Sequence, residues 1–546
     1  MPRKLLITFL ISIAAPLGAQ QLTTPVNTTE GPVRGELSGS VSIYRGIPYA
    51  APPVGDLRWK EPQLALPRGS TLDALAFHSV CPQIVNDRLF GSEDCLALNI
   101  WAPSPPGSTL RPVMLSIQGI DHVTGSSTNI AGNGRLLNGF YLAKNKLVVV
   151  VTINYRLGAL GFLAHPSLTA ENAHHSSGNY GLLDQIAALR WVSQNISNFG
   201  GDPENVTIFG QSSGAADVFS LVVSPLAAGL FDRAIVESAP SLFQEQPLSS
   251  PDPLILTAEK KGVVLSSVLG CEVTADRAAC LRSRSASDLV LAIVPRLPGQ
   301  TGSQYMPNVD GYVLQNCAAS SIASGRHNAV PMIMGVNKDD GASIVDLATI
   351  SKESDFDRVV RGLEPGLSDK GLATLKAVFN QKTSGSWAQA ANVLAGDLVY
   401  VCPTRRALEI LSPFQSHLYF YDFTHALVGS ADPKAFHGEE LRFVFGTLQD
   451  VAGGVTPSAG EMSLSVQIMT YWTNLARNGE VNAGVVSHWR EYDPVNDVNL
   501  FLDTPISTAS GLENGNCAFL STVLARELPT PPLTACRPPR RHGVRN

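Results

Sequence analysis

The feature that most constrains this chain is a glycine-flanked turn: the run Val206 to Phe209, then Gly210-Gln211-Ser212-Ser213-Gly214, then the apolar stretch Ala215 to Val223. A short β-branched run predicts a buried strand, and the longer apolar stretch after the turn predicts a helix. Strand and helix can close on each other this sharply only where the flanking residues lack side chains, which leaves Ser212 raised on the turn. A serine in that position is a candidate nucleophile, because the amides of the following helix face the negative charge that develops when it attacks a carbonyl.

The same alternation recurs along the chain. Val113 to Ile117, Leu147 to Ile153, Arg233 to Glu237 and Pro331 to Gly335 read as further buried strands. His417 to Phe423 and Asn499 to Asp503 read as later ones. Leu182, Ile186, Leu189 and Val192 recur at helical spacing, and Ser463 to Asn478 predicts a helix capped by Gly479. Strands alternating with helices predict an α/β fold, with a large, mostly parallel central sheet flanked by helices. No internal repeat and no long linker divides residues 20–546, so one catalytic domain with surface insertions is expected.

Hydrophobic residues make up 44% of the 546 residues and charged residues 16%, which suits a large core. The formal charge is −6 with no long run of one sign, which argues against nucleic-acid partners. The one basic cluster lies in a tail at 537–546, broken by Pro538 and Pro539. Arg3 and Lys4 precede an apolar run from Leu5 to Ala15, so residues 1–19 predict a signal peptide cut near Ala19. That run breaks at Pro16, short of a membrane span, and a secreted, extracellular protein follows. Asn27 and Asn195 each begin a glycosylation triplet. Eight cysteines in an exported chain favour disulfides over metal ligation, and no cofactor or metal is implied.

A serine hydroxyl needs a histidine base, and the histidine needs an acid to fix its tautomer. Asp340 lies in Asn337-Lys338-Asp339-Asp340-Gly341, directly after a predicted strand, and His437 in Phe436-His437-Gly438-Glu439-Glu440 follows another. The chain order serine, acid, histidine is met, but position alone does not choose His437 among 11 histidines.

The choice comes from a resemblance that longer motifs carry. Tyr49 to Trp59 reads YAAPPVGDLRW, Ser92 to Trp101 reads SEDCLALNIW, and Gly178 to Ala215 runs through GNYGLLDQ and FGGDPENVTIFGQSSGA. In these the chain resembles the type-B carboxylesterase/lipase family, cholinesterase-like α/β-hydrolases, from about Val33 to about Val523, closest in style to fungal extracellular members. The resemblance implies the α/β-hydrolase fold with insertions forming a cap over the site. It implies Ser212 as nucleophile, His437 as general base and acid, and Asp340 as the orienting carboxylate. It also implies disulfides pairing Cys81 with Cys95, Cys271 with Cys280 and Cys402 with Cys517, leaving Cys317 and Cys536 as a guessed fourth pair. Arg58 with Glu93, and Arg156 with Asp184, match the family's structural ion pairs.

Two departures bear on chemistry. Where the family usually has His-Gly-Gly-Gly-Phe, this chain has Gln118-Gly119-Ile120-Asp121-His122. The oxyanion donors then expected are the amides of Ile120, Asp121 and Ser213, with a β-branched residue and a carboxylate in place of two glycines. The short segment Pro82 to Asp94 lacks tryptophan, and Gln211 replaces the glutamate that commonly precedes the nucleophile. A cationic choline ester is disfavoured by both, and a neutral, fairly hydrophobic small-molecule ester is expected. The altered loop keeps a second reading open, a specialised acyltransferase or cyclase on a natural product. A third, a non-catalytic binding protein, comes from the resemblance, which includes adhesion proteins that have lost the nucleophile; Ser212, Asp340 and His437 count against it. Oligomeric state is not legible.

Overall fold

The computed structural model describes residues 21–85, 88–128, 136–240, 242–243, 245–252, 255–292, 305–430, 434–451 and 456–527. The expected signal peptide at 1–19, the basic tail and Cys536 lie outside the described residues.

Eleven strands form one sheet. In chain order they are β1 Glu36–Ser38, β2 Val41–Pro48, β3 Ala97–Pro103, β4 Arg111–Ile117, β5 Val149–Ile153 and β6 Gly201–Gln211. After them come β7 Arg233–Glu237, β8 Met332–Asn337, β9 Leu418–Phe423, β10 Val498–Leu502 and β11 Ser507–Ser510. Their order across the sheet is β11-β10-β9-β8-β7-β6-β4-β5-β3-β2-β1. The pairings from β5 through β4 and β6 to β10 are parallel. Antiparallel strands finish both edges, so the sheet is mixed with a parallel centre.

Burial on both faces explains the continuous apolar runs of the central strands. Side chains alternate along a strand, so Val113, Leu115 and Ile117 enter one core while Met114 enters the other. Val149, Val151 and Ile153 repeat the first choice and Val150 the second. Helices α1 (Tyr180–Asn195) and α2 (Ser213–Val223) cover the first face through Leu182, Ile186, Leu189, Val218 and Leu221. Helices α3 (Glu353–Leu363) and α4 (Trp387–Gly396) lie between β8 and β9. Helix α5 (Ala459–Asn478) covers the second face through Leu464, Ile468 and Leu475. Each fully buried leucine or isoleucine of this kind contributes about 1.5–3 kcal/mol.

Helix α5 begins four residues before its expected start at Ser463, because Ser458 and Glu461 form a reciprocal capping box. It ends as expected on Gly479, whose φ is 81°. Strand β6 runs from Gly201 rather than Val206, with an irregular register between those residues that polar Asp202 to Asn205 concealed from an apolar count.

Disulfides join Cys81 to Cys95, Cys271 to Cys280 and Cys402 to Cys517. Cys317 is disulfide-bonded as well. The ion pairs Arg156–Asp184, with Nη2 to Oδ1 at 2.7 Å, and Arg58–Glu93, with Nε to Oε2 at 2.8 Å, are formed. One glycosylation candidate is corrected. Asn195 is buried, and its amide nitrogen donates to the Trp191 carbonyl at 3.0 Å and to Thr29 Oγ1 at 3.1 Å, which closes it to a glycan. Asn27 is exposed on a short edge strand, Val26–Thr28.

Candidate active site

The candidate residues follow the C-terminal ends of neighbouring parallel strands, where open α/β sheets place their ligand sites. Ser212 follows β6, Asp340 follows β8, and His437 lies beyond β9. Ser212 adopts φ 58° and ψ −130°, a conformation that costs a non-glycine residue of order 1–3 kcal/mol. The surrounding packing enforces it. A Cβ on Gly210 would stand 2.7 Å from the Ile117 carbonyl oxygen, and one on Gly214 would stand 2.2 Å from the same oxygen. Only glycine permits that approach, so β4, β6 and α2 close around the serine. The Ser212 N–H donates to the Glu237 carbonyl at 2.9 Å, tying the turn to β7.

His437 Nδ1 lies 2.7 Å from Asp340 Oδ1, and Asp340 is fully buried. The other carboxylate oxygen accepts from Ser238 Oγ at 2.9 Å and from the Asn337 N–H at 2.8 Å. The acid loop and the histidine loop are stitched together by backbone. The Asp339 N–H donates to the Ala435 carbonyl at 3.0 Å, and Asn337 Nδ2 donates to the Phe436 carbonyl at 2.8 Å. Burial works against a charged imidazole at His437, but the hydrogen bond and charge of Asp340, with Glu440 and Asp121 behind it, outweigh burial and raise its pKa. Nε2 is buried and carries no hydrogen bond. The contact to the serine is therefore open in this conformation, a gap that catalytic hydrogen bonds commonly close on substrate binding. The two loops are adjacent: a Cβ on Gly438 would lie 3.5 Å from Gln211 Nε2.

The loop after β4 carries two of the expected oxyanion donors, Ile120 and Asp121. Left-handed backbone falls at Asp121 and His122, with φ 54° and 57°, and not at Ile120. Ile120 therefore escapes the strain that a positive φ would impose on a β-branched side chain. Asp121 is exposed, whereas His122 is buried and anchors the loop. Its Nε2 lies 2.8 Å from Asp217 Oδ1 on α2, and Asp217 Oδ2 accepts from Gln185 Nε2 at 2.6 Å. The His122 N–H reaches Ser213 Oγ at 3.2 Å. The Ser213 N–H, first in α2, has no acceptor inside its own helix and is free to serve a ligand oxygen by position.

Beside the elbow opens a cavity of about 380 Å³. Asp121, His122, Ser213 and Tyr400 line its inner end, and the Tyr400 ring centroid is 4.8 Å from that of His437. Phe219, Leu242, Phe243, Leu314, Val359 and Leu363 give most of its walls an apolar character. Behind Asp340 and His437 sit more acids than the sequence suggested. Burial, then the charge of Glu440, pushes Glu237 well above the usual carboxylate range, and burial with the charge of Asp340 raises Glu440.

Sequence reasoning missed Ser238, Tyr400, Asp217 and Glu440. Ser238 carried a signal, since it directly follows β7 at the functional edge of the sheet. Tyr400 carried none, because it arrives from the segment between α4 and the next helix. Among the described residues one grouping could hold a metal ion: His417, Glu480 and Glu491 place ligand atoms within 4.8 Å of one another. It adjoins the N-terminal end of β9, opposite the elbow.

Residues 22–520 match the model of the carboxylesterase family. The chain belongs to that family. It is 33% identical to fumonisin B1 esterase of Sphingopyxis macrogoltabida over 92% of each chain. It is 33% identical to carboxylesterase 1E of Mus musculus, covering 95% of this chain and 98% of that one. Neuroligin-2 of Mus musculus is 32% identical over 84% of this chain, which spans 61% of that protein. Among the described residues no helix is long and apolar enough to cross a membrane.

Proposed function

We propose that this chain is a secreted serine carboxylesterase of the α/β-hydrolase fold, acting through an acyl-enzyme on Ser212. The observation that carries the reading is the buried Asp340–His437 contact of 2.7 Å, set beside a strained serine at the head of a helix. His437 takes the Ser212 proton as the hydroxyl attacks the ester carbonyl, Asp340 stabilises the imidazolium, and His437 returns the proton to the leaving alcohol. Water, activated by the same histidine, then releases the acid. The amides of Ile120, Asp121 and Ser213 are the donors for the oxyanion.

The apolar cavity walls support a fairly hydrophobic, neutral small-molecule ester, and two relatives bear esterase names. Cap insertions are assigned to the helices between β8 and β9, which contribute Val359 and Leu363 to the cavity. Together, Ser212, Asp340 and His437 weigh against a purely binding role. Transfer of the acyl group to an alcohol, or cyclisation, would use the same residues and differ only in the acceptor. An organophosphonate probe should label Ser212, and Ser212→Ala should lose ester hydrolysis by on the order of 10⁴-fold or more. Absence of adduct, with hydrolysis unchanged in Ser212→Ala, overturns the assignment; a product analysis with added alcohol separates hydrolysis from transfer.

A further inference from the structure

The cavity beside the elbow contains one group that a plain hydrophobic ester would leave unsatisfied. Glu245 lines it among apolar neighbours including Leu242, Phe243 and Leu314. One oxygen, Oε1, is fixed: it accepts the Ala318 N–H at 2.8 Å, the first amide of the short helix Ala318–Ala323. The other, Oε2, is shielded from solvent and has no hydrogen-bond partner. A carboxylate oxygen left in that state costs free energy unless something supplies a donor. Among the described residues no cation is ion-paired with it. Arg358, which lines the cavity, is 3.4 Å from Asp355 on its own helix, while Asp121 and Asp346 add further negative charge to the lining.

We propose that Glu245 is a specificity-determining residue, and that the cavity takes esters whose hydrophobic chain ends in a hydrogen-bond donor, a hydroxyl or an ammonium, which reaches Glu245 Oε2. The inference rests on the esterase reading and refines its substrate from a plain hydrophobic chain to one with a polar end remote from the scissile bond. Glu245 does not touch the reacting atoms. Its effect falls on binding and positioning of the chain, so the discrimination is expected mainly in KM. Such a donor replaces a missing hydrogen bond in a water-poor site, where an analogue lacking the donor is rejected more strongly than one lacking a methylene. Burial raises the pKa of this carboxyl, so the ionised form and its pull on an ammonium strengthen as pH rises.

The test compares three nitrophenyl esters of equal chain length, bearing a terminal methyl, hydroxyl or ammonium, on the wild type, Glu245→Gln and Glu245→Leu. The wild type is expected to prefer a donor-bearing ester over the methyl one by about tenfold or more in kcat/KM, a preference lost in Glu245→Leu. Glu245→Gln keeps the shape and a neutral acceptor. Loss of the preference for the ammonium alone in that variant identifies charge as the source, and retention for the hydroxyl identifies the hydrogen bond. Calorimetric binding of the corresponding chain alcohols and amines to Ser212→Ala reads the same preference without turnover. A wrong nucleophile assignment therefore leaves the Glu245 result intact. Equal preferences in all three proteins, as expected if the ester chain never reaches Oε2, overturn the proposal, and Glu245→Gln decides alone if Glu245→Leu fails to fold.

Discussion

Asp340 binds His437 through one carboxylate oxygen and Ser238 through the other, at 2.7 and 2.9 Å. The acid is thus fixed from two sides before it orients the imidazole. Asp340→Asn keeps the shape but presents an amide that can stabilise the wrong histidine tautomer, and kcat for ester hydrolysis should fall by about 10⁴-fold. Ser238→Ala removes only a neutral donor to the carboxylate. Its charge then bears more heavily on His437, so the acid limb of the pH–rate profile should move upward while kcat changes little. A Ser238→Ala profile superimposable on the wild type would show that the second hydrogen bond positions nothing.

Activity and stability should respond to pH in opposite directions. In the proposed mechanism the neutral imidazole is the base, and His437 is held above its ordinary value of 6.5, so turnover falls as pH drops through that raised value. Stability follows the buried acids. Burial pushes Glu439 up from 4.5 to about 8, with Arg442 opposing the shift and Glu440 adding to it. Its folded value exceeds its unfolded one, so its contribution is fully present below about pH 4.5 and is lost as pH rises through about 8. The melting temperature should therefore decline as pH rises from about 4.5 to about 8, and Glu439→Gln should flatten that decline. The opposite trend would mean that Glu439 is ionised in the folded chain.

The central strands were legible because burial on both faces writes them as unbroken apolar runs, and the elbow because its glycines have a steric reason. The candidate triad was legible from motif and chain order. What was hidden was whatever one distant segment contributes to another. Tyr400 packs on His437 across 37 positions, and Asp217 on α2 anchors His122 across 95. Neither pair leaves a periodic trace. Asn195 was misread for a related reason: a three-residue acceptor motif says nothing of burial, and its amide is spent on Trp191 and Thr29.

The disulfides should differ in weight by the length of chain they close. Cys402 and Cys517 are 115 positions apart, whereas Cys271 and Cys280 are 9 apart. On the loop-entropy account, replacing the first pair by alanines costs roughly 5 kcal/mol and the second roughly 2.5 kcal/mol. Urea unfolding of the two double variants should show that order. Equal losses would place the effect in the native packing around each bridge rather than in the unfolded chain.

The loop after β4 gives the sharpest separation between two neighbouring substitutions. Asp121 sits in left-handed backbone and Ile120 does not, so glycine helps only at the first. Asp121→Gly relieves a positive φ and also removes a carboxylate whose charge opposes a tetrahedral oxyanion. It should speed ester turnover. Ile120→Gly gains no conformational relief and frees the unfolded chain, so it should destabilise by about 0.5–1 kcal/mol without improving turnover. The anchor is the third member of the comparison. His122→Ala leaves Asp217 buried with one partner fewer, and should reduce both melting temperature and kcat while Ser212 still reacts with the phosphonate probe. If Ile120→Gly is the variant that accelerates hydrolysis, the donor geometry depends on the isoleucine amide rather than on the charge and backbone of Asp121.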